Sequence, residues 1–226
     1  MPKPNARSQH IAAMSLIVKI CGLSTPETLD VALAAGADMV GFVFFPPSPR
    51  HVGLAAATAL GKQAKGRALK VALSVDADDA LLENSIEALR PDLLQLHGHE
   101  TVARLRDIKQ KFGLPVMKAV PVETAADLVP LQGYAAVADR ILFDARAPKE
   151  ATRPGGLGAA FDWRLLENLD LRIPFMSPAP TARVRPSPIC APSLRRRICG
   201  FTSTPRHGWC GSTRVCVWGM PAAACR

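Results

Sequence analysis

Short apolar runs rich in β-branched residues recur along most of the chain, at Leu16–Ile20, Met39–Phe44, Leu69–Val75, Asp92–Leu96, Val116–Ala119 and Arg140–Phe143. Their starts lie 23 or 24 residues apart except for a longer second step. That interval fits one strand, one helix and two loops. Between the runs lie helical patterns with their own start signals. Ser24-Thr25-Pro26-Glu27 sets a hydroxyl cap before a proline, Glu100-Thr101 opens the fourth helix, and Glu123-Thr124 precedes the fifth. Gly36 and Gly113 are placed as helix stops. Parallel strands need helical crossovers, so the pattern predicts an α/β fold.

The faces of the predicted strands separate an open sheet from a closed barrel. Alternate residues of a strand point the same way, so Lys19 and Cys21 share one face and Val18 and Ile20 the other. Lys70, Ala72, Ser74 and Asp76 likewise oppose Val71, Leu73 and Val75; Gln95 and His97 oppose Leu94 and Leu96; Arg140, Leu142 and Asp144 oppose Ile141 and Phe143. Small and polar groups thus gather toward the carboxyl ends of many strands. A (β/α)₈ barrel builds its site there from separate loops, whereas an open sheet gathers its site mainly at one crevice.

Composition then divides the chain. The net charge of +9 suggests a nucleic-acid or membrane surface until it is located. Residues 177–226 hold eight arginines and no Asp, Glu or Lys; the first 176 residues hold 20 Lys plus Arg against 19 Asp plus Glu. A nearly neutral body argues against a basic groove, and so against nucleic acid as a partner. No apolar run reaches the ~18 residues of a membrane span, and residues 1–13 lack the apolar centre of a signal peptide. The body therefore reads as cytoplasmic, with residues 1–13 a disordered extension ahead of Met14.

Five motifs occur in order: Lys19-Ile20-Cys21-Gly22, Gly41 through Pro46-Pro47-Ser48-Pro49-Arg50, Leu94-Gln95-Leu96-His97-Gly98, Leu142-Phe143-Asp144, and Gly155-Gly156-Leu157-Gly158 through Phe161-Asp162-Trp163. Together they resemble the phosphoribosylanthranilate isomerase family over about residues 15–176. The resemblance implies a (β/α)₈ barrel of the tryptophan pathway, working without cofactor or metal on a phosphosugar, as a monomer or homodimer. It implies an Amadori-type rearrangement, in which the phosphoribosylamine ring opens and the imine becomes an aminodeoxyribulose phosphate. Cys21 maps to the family's base and Asp144 to its acid. Arg50 falls where the family grips the anthranilate carboxylate, Lys19, Gln95 and His97 line the mouth, and Gly155, Gly156 and Gly158 form a loop over the substrate.

The residue chemistry agrees with those roles. A free thiol titrates near ~8.5, so little is thiolate at neutral pH, and a cation such as Lys19 on the same face raises that fraction. A carboxyl is normally ionised above ~3.9, so Asp144 needs desolvation or a neighbouring anion to keep its proton. Lys118, on the fifth strand, is expected only to pair with a carboxylate. Two other readings stand beside this one: another phosphosugar isomerase or lyase on the same barrel, and an inactive fragment or interaction protein with a basic tail.

The tail departs from the body at one point. Phe175-Met176 has the position of a seventh strand, but from Ser177 onward come seven prolines, eight arginines and five cysteines, with no Asp, Glu, Lys, Asn or Gln. The cysteines Cys190, Cys199, Cys210, Cys216 and Cys225 lie nine, eleven, six and nine residues apart, which is not the paired spacing of a zinc site. Prolines at 178, 180, 186, 188 and 192 oppose a central strand or helix. The family's last two strands end in glycine-rich phosphate-binding loops, and neither is visible. The abrupt change predicts a reading-frame shift near codon 176, leaving a partial barrel over 14–176 with six to seven strands, two unpaired edges, and an aberrant tail over 177–226.

Overall fold

In the computed structural model of this chain, residues 17–145, 163–166, 169, 171, 173–178 and 214–219 are described. Seven strands run parallel in chain order: β1 (Val18–Cys21), β2 (Met39–Phe44), β3 (Leu69–Ser74), β4 (Leu93–Leu96), β5 (Val116–Val122), β6 (Arg140–Ala145) and β7 (Phe175–Pro178). Helices α1 (Pro26–Ala34), α2 (Leu54–Ala64), α3 (Asp79–Leu89), α4 (Val102–Phe112) and α5 (Leu131–Ala135) connect the first six. Six of the expected strands and the start of the seventh are where the apolar spacing puts them. The caps also agree: Thr25 accepts from the Thr28 amide with Pro26 at the first helical position, Thr101 caps α4, and Gly113 ends it. The fifth crossover differs. A 3₁₀ turn at Ala125–Leu128 precedes a five-residue α5, because Pro130 cannot donate within a continuous helix.

An eighth strand, β8 (Arg214–Gly219), pairs antiparallel with both β7 and β1 and closes the barrel. This corrects the expectation of an open fragment with two unpaired edges. The segment Arg-Val-Cys-Val-Trp-Gly is the stretch of the tail with strand-like β-branched and aromatic residues. A parallel eighth strand would need a helical crossover, which the prolines at 180, 186, 188 and 192 disfavour; an antiparallel one needs none. Pro178 is accommodated as the last residue of β7 rather than at its centre.

The two faces of the wall bury different clusters. Outward-facing Ile20, Phe42, Leu96 and Phe143 pack with Leu29, Leu60, Leu82 and Leu105 of the helices into the main core. Each such side chain contributes about 1.5–3 kcal/mol on full burial. Inside the barrel, Met39, Val71, Leu93, Met117, Leu142 and Met176 fill the lower end, and Cys21, Val43 and Leu73 lie nearer the carboxyl ends. The third strand corrects the sequence reading of its faces. Val71 and Leu73 point inward, while Lys70 lies outside, its ammonium donating to the Leu89 carbonyl at 3.2 Å. On this strand the polar alternation marks the helix-facing side, because Lys70 caps the end of α3.

Register is pinned by a device repeated at three strand pairs. Asp38, Asp92 and Asp139 each stand one residue before an even-numbered strand. Their carboxylates accept from the backbone amides of Val18, Lys70 and Val116 at 2.7, 2.8 and 2.8 Å. Their own amides donate back to the carbonyls of the same three residues at 2.9, 2.8 and 2.8 Å. Each aspartate thereby clips its strand to the preceding one at a fixed offset. A hydrogen bond to a charged group contributes about 1.5–3 kcal/mol. Replacing Asp92 by Ala is therefore expected to lower unfolding free energy by about 1–3 kcal/mol in urea titration, and Asp92→Asn by less; equal stability of Asp92→Ala and the parent would show that the clip does not hold the register.

Candidate active site

The first strand delivers two functional groups to the barrel interior. Lys19 is fully buried, and its ammonium has no hydrogen-bond partner among the described residues. Two residues on, Cys21 is a buried free thiol in the cluster with Val43 and Leu73. Space for its sulfur comes from Gly41, its register neighbour on β2, where an added Cβ would stand 2.6 Å from Cys21 Sγ. Gly41 is a residue the sequence reading placed in a motif without a role. A glycine inside an apolar strand is the signal that would have found it, since it marks a close approach.

Arg50 arrives from the other side of β1. The chain leaves β2 through a proline-rich turn in which Ser48 receives the Arg50 amide at 3.2 Å and Val52 returns to the Val43 carbonyl at 2.9 Å. The Arg50 side chain then lies across Gly22, whose φ of +86° and missing Cβ both suit glycine: a Cβ would meet Arg50 Cδ at 2.6 Å. Arg50 and His97 line one cleft at the mouth with Ser48, Val43, Phe45, Leu73 and Val75. A guanidinium in such a partly apolar cleft suits a planar carboxylate.

The fourth and sixth strands supply the opposite wall. His97 Nε2 lies 3.1 Å from Asp144 Oδ2, with the carboxylate side chain only 2% exposed. Behind the ring, Gln95 Nε2 lies 3.2 Å from His97 Nδ1. An amide nitrogen only donates, so in this arrangement Nδ1 accepts and Nε2 carries the proton toward Asp144. Gln95 Oε1 has no partner among the described residues. Rotating the amide by half a turn would present that oxygen to Nδ1–H, leaving Nε2 to accept a proton from Asp144. The second arrangement holds one proton more than the first, so it forms only with uptake of a proton and not by rotation of the amide alone.

Lys118 pairs with a carboxylate as expected, at 2.7 Å from Glu100 Oε2. That carboxylate, read from sequence only as part of a helix start, is itself buried and also accepts from the amides of Asp76 and Gly98. Nearby, burial and then the Glu100 charge push the Tyr134 phenol up. Burial also pushes Asp76 up, but hydrogen bonds from the His99 ring and backbone outweigh it and hold the carboxyl below its usual range. Gly155, Gly156 and Gly158 lie outside the described residues.

A thiol and a carboxyl held on different strands at the carboxyl-end mouth of a (β/α)₈ barrel, the carboxyl against an imidazole, are what an enzyme of the barrel class gathers at its site. The family model described as N-(5'-phosphoribosyl)anthranilate (PRA) isomerase matches residues 18–176, and the chain belongs to that family. It is 78% identical over 163 residues to N-(5'-phosphoribosyl)anthranilate isomerase of Bradyrhizobium sp. (strain ORS 278), covering 72% of this chain and 74% of the relative. Among solved structures, phosphoribosyl anthranilate isomerase from Thermotoga maritima superposes with a TM-score of 0.58 and 30% identity, over 66% of this chain and 68% of that one. A second isomerase structure, in complex with reduced 1-(o-carboxyphenylamino)-1-deoxyribulose 5-phosphate, gives a TM-score of 0.52 and 28% identity over 56% and 63% of the two chains. Among the described residues no helix is long and apolar enough to cross a membrane.

The Cys21–Gly41 contact leaves no room for a side chain on β2. Gly41→Val is expected to cost about 1–3 kcal/mol by overpacking and to slow alkylation of Cys21 by a small iodoacetamide probe. Unchanged stability together with an unchanged alkylation rate would show that Gly41 does not make room for the thiol.

Proposed function

We propose that this isomerase-family chain is built for the Amadori rearrangement of N-(5-phosphoribosyl)anthranilate to 1-(2-carboxyphenylamino)-1-deoxyribulose 5-phosphate in tryptophan biosynthesis. The observation that carries the reading is the arrangement of two buried proton-transfer groups, Cys21 on β1 and Asp144 on β6, on the inward face of one barrel.

Asp144 donates its proton to the ring oxygen as the bond from that oxygen to C1 breaks, leaving a protonated imine between C1 and the anthranilate nitrogen, which keeps its hydrogen. Cys21, as thiolate, removes the proton from C2. The electrons of that C–H bond form a C1–C2 double bond, and the imine becomes an enolamine. Protonation at C1 and loss of the hydroxyl proton at C2 then give the ketone. C1 is reduced and C2 oxidised within one molecule, so no external oxidant or cofactor enters. Each proton transfer is worth roughly 10²–10⁴-fold.

The remaining groups serve charge and position. Lys19, buried beneath the thiol, favours negative charge on Cys21. With the amide turned so that Oε1 accepts from Nδ1–H, His97 Nε2 accepts a hydrogen bond from Asp144 once that carboxyl has taken up a proton from solvent. Arg50 grips the anthranilate carboxylate. By the family resemblance, Gly155, Gly156 and Gly158 belong to a loop over the substrate. The working unit is a monomer or a homodimer.

The family match ends at Met176, and the last Asp, Glu, Lys, Asn or Gln of the chain is Asp170, six residues earlier. That near coincidence supports reading residues 177–226 as a product of a shifted frame, which replaces the two phosphate-binding loops with Pro- and Arg-rich sequence. Turnover by the chain as given is then low for want of a phosphate grip. It should fail to restore growth of a tryptophan auxotroph lacking the isomerase, and a chain carrying the relatives' end after Met176 should restore it. Growth supported by the unaltered chain would end the claim. In the restored chain, Cys21→Ser and Asp144→Asn should each lower kcat by at least ~10²-fold with the fold intact; near-normal rates in either variant would remove that residue from its role.

A further inference from the structure

We propose that Glu100 and Lys118 are positioning residues of the site, a buried clamp on the Gly98 peptide that aims His97 at Asp144. The inference rests on the reading of the His97–Asp144 pair as the acid side of the reaction. The last ladder bond between β3 and β4 is donated by the His97 amide to the Ser74 carbonyl at 2.9 Å. One residue later, the charge pair takes over from the ladder. Lys118 Nζ donates to the Gly98 carbonyl at 2.6 Å, while both oxygens of Glu100 receive the Gly98 amide at 3.1 and 3.0 Å. The same carboxylate takes the Asp76 amide at 3.0 Å, tying the end of β3 to this turn. Both side chains are at least 97% buried and meet at 2.7 Å.

The placement is unusual for a device that only adds stability. Lys118 is on the outward face of β5, where its neighbours in the strand join the apolar core, and a buried ion pair is commonly no more stabilising than apolar residues of the same volume. What the pair does provide is direction. It fixes the N–H of the peptide unit after His97 and the carbonyl of the unit after that, holding Gly98 on both sides, and so sets the angle at which the imidazole leaves the strand. With the ring held between Gln95 and Asp144 by contacts of 3.2 and 3.1 Å, a small rotation of this turn breaks both. The Tyr134 ring, 5.7 Å from Lys118 Nζ, covers the clamp from α5.

The test reads the His97 ring directly in the full chain, by imidazole nitrogen NMR at neutral pH, with His97→Gln identifying the signal. The parent is expected to show one fixed ring state, with the two nitrogens clearly distinct. The double variant Glu100→Gln with Lys118→Met removes both charges without stranding either; it should show an averaged ring signal while the β6 amides keep their parent positions. Lys118→Arg, which retains the cation, should preserve the parent signature. A folded double variant whose His97 signal is unchanged overturns the proposal. Should the double variant fail to fold, Glu100→Gln alone is read in the same way, and unfolding of both assigns the pair to stability and overturns it too. Normal turnover in Asp144→Asn would instead remove the acid reading, leaving this spectroscopic result standing, so the two failures are distinguishable.

Discussion

Register is the constraint on which the site depends. Side chains alternate along a strand with a period of two, so a slip of one residue would turn Cys21 and Asp144 out of the barrel and bring Ile20 and Phe143 in. The reciprocal bonds of Asp38, Asp92 and Asp139 oppose that slip at the amino end of three strand pairs, far from the chemistry. The fourth pair has no such clip to draw on, because residues 177–226 contain no carboxylate side chain. It is also the pair whose geometry departs from the family's barrel, with β8 running antiparallel to β7.

With register fixed, the site follows from what each strand leaves at its carboxyl end. β2 leaves an empty position at Gly41, and the thiol of β1 occupies it. β4 leaves an imidazole facing the carboxylate of β6. Apolar and polar side chains are divided along the barrel axis: apolar ones fill the amino end, and the polar groups that would be costly there are held at the mouth. Lys19 is the exception. A buried ammonium without a hydrogen-bond acceptor among the described residues is a cost to the fold.

Much of this was legible in the chain itself. Strand spacing and capping residues located the elements through Arg140–Ala145, and alternation put Lys19, Cys21, Gln95, His97 and Asp144 on one inward surface. Alternation misled at β3, where Lys70 faces outward to cap a helix, because periodicity reports that two faces differ without reporting which is inside. The eighth strand was missed for another reason. Its six residues read as a strand only when two open edges are waiting for them, and that is a property of the assembled barrel. Glu100 was hidden by position: just before a helix, an acid ordinarily faces solvent, and only the folded turn buries it against Lys118. The Cys21–Gly41 contact was within reach, since a glycine in the middle of an apolar strand weakens the strand unless something must pack close against it.

The central claim is that the Cys21 thiol removes the proton from C2 of the sugar. The most direct measurement follows substrate deuterated at C2 in a chain whose end after Met176 is that of its relatives. Release of the deuterium to solvent is expected in the parent and retention in Cys21→Ser, with Asp144 untouched in both. Deuterium washout continuing in Cys21→Ser at the parent rate would contradict it.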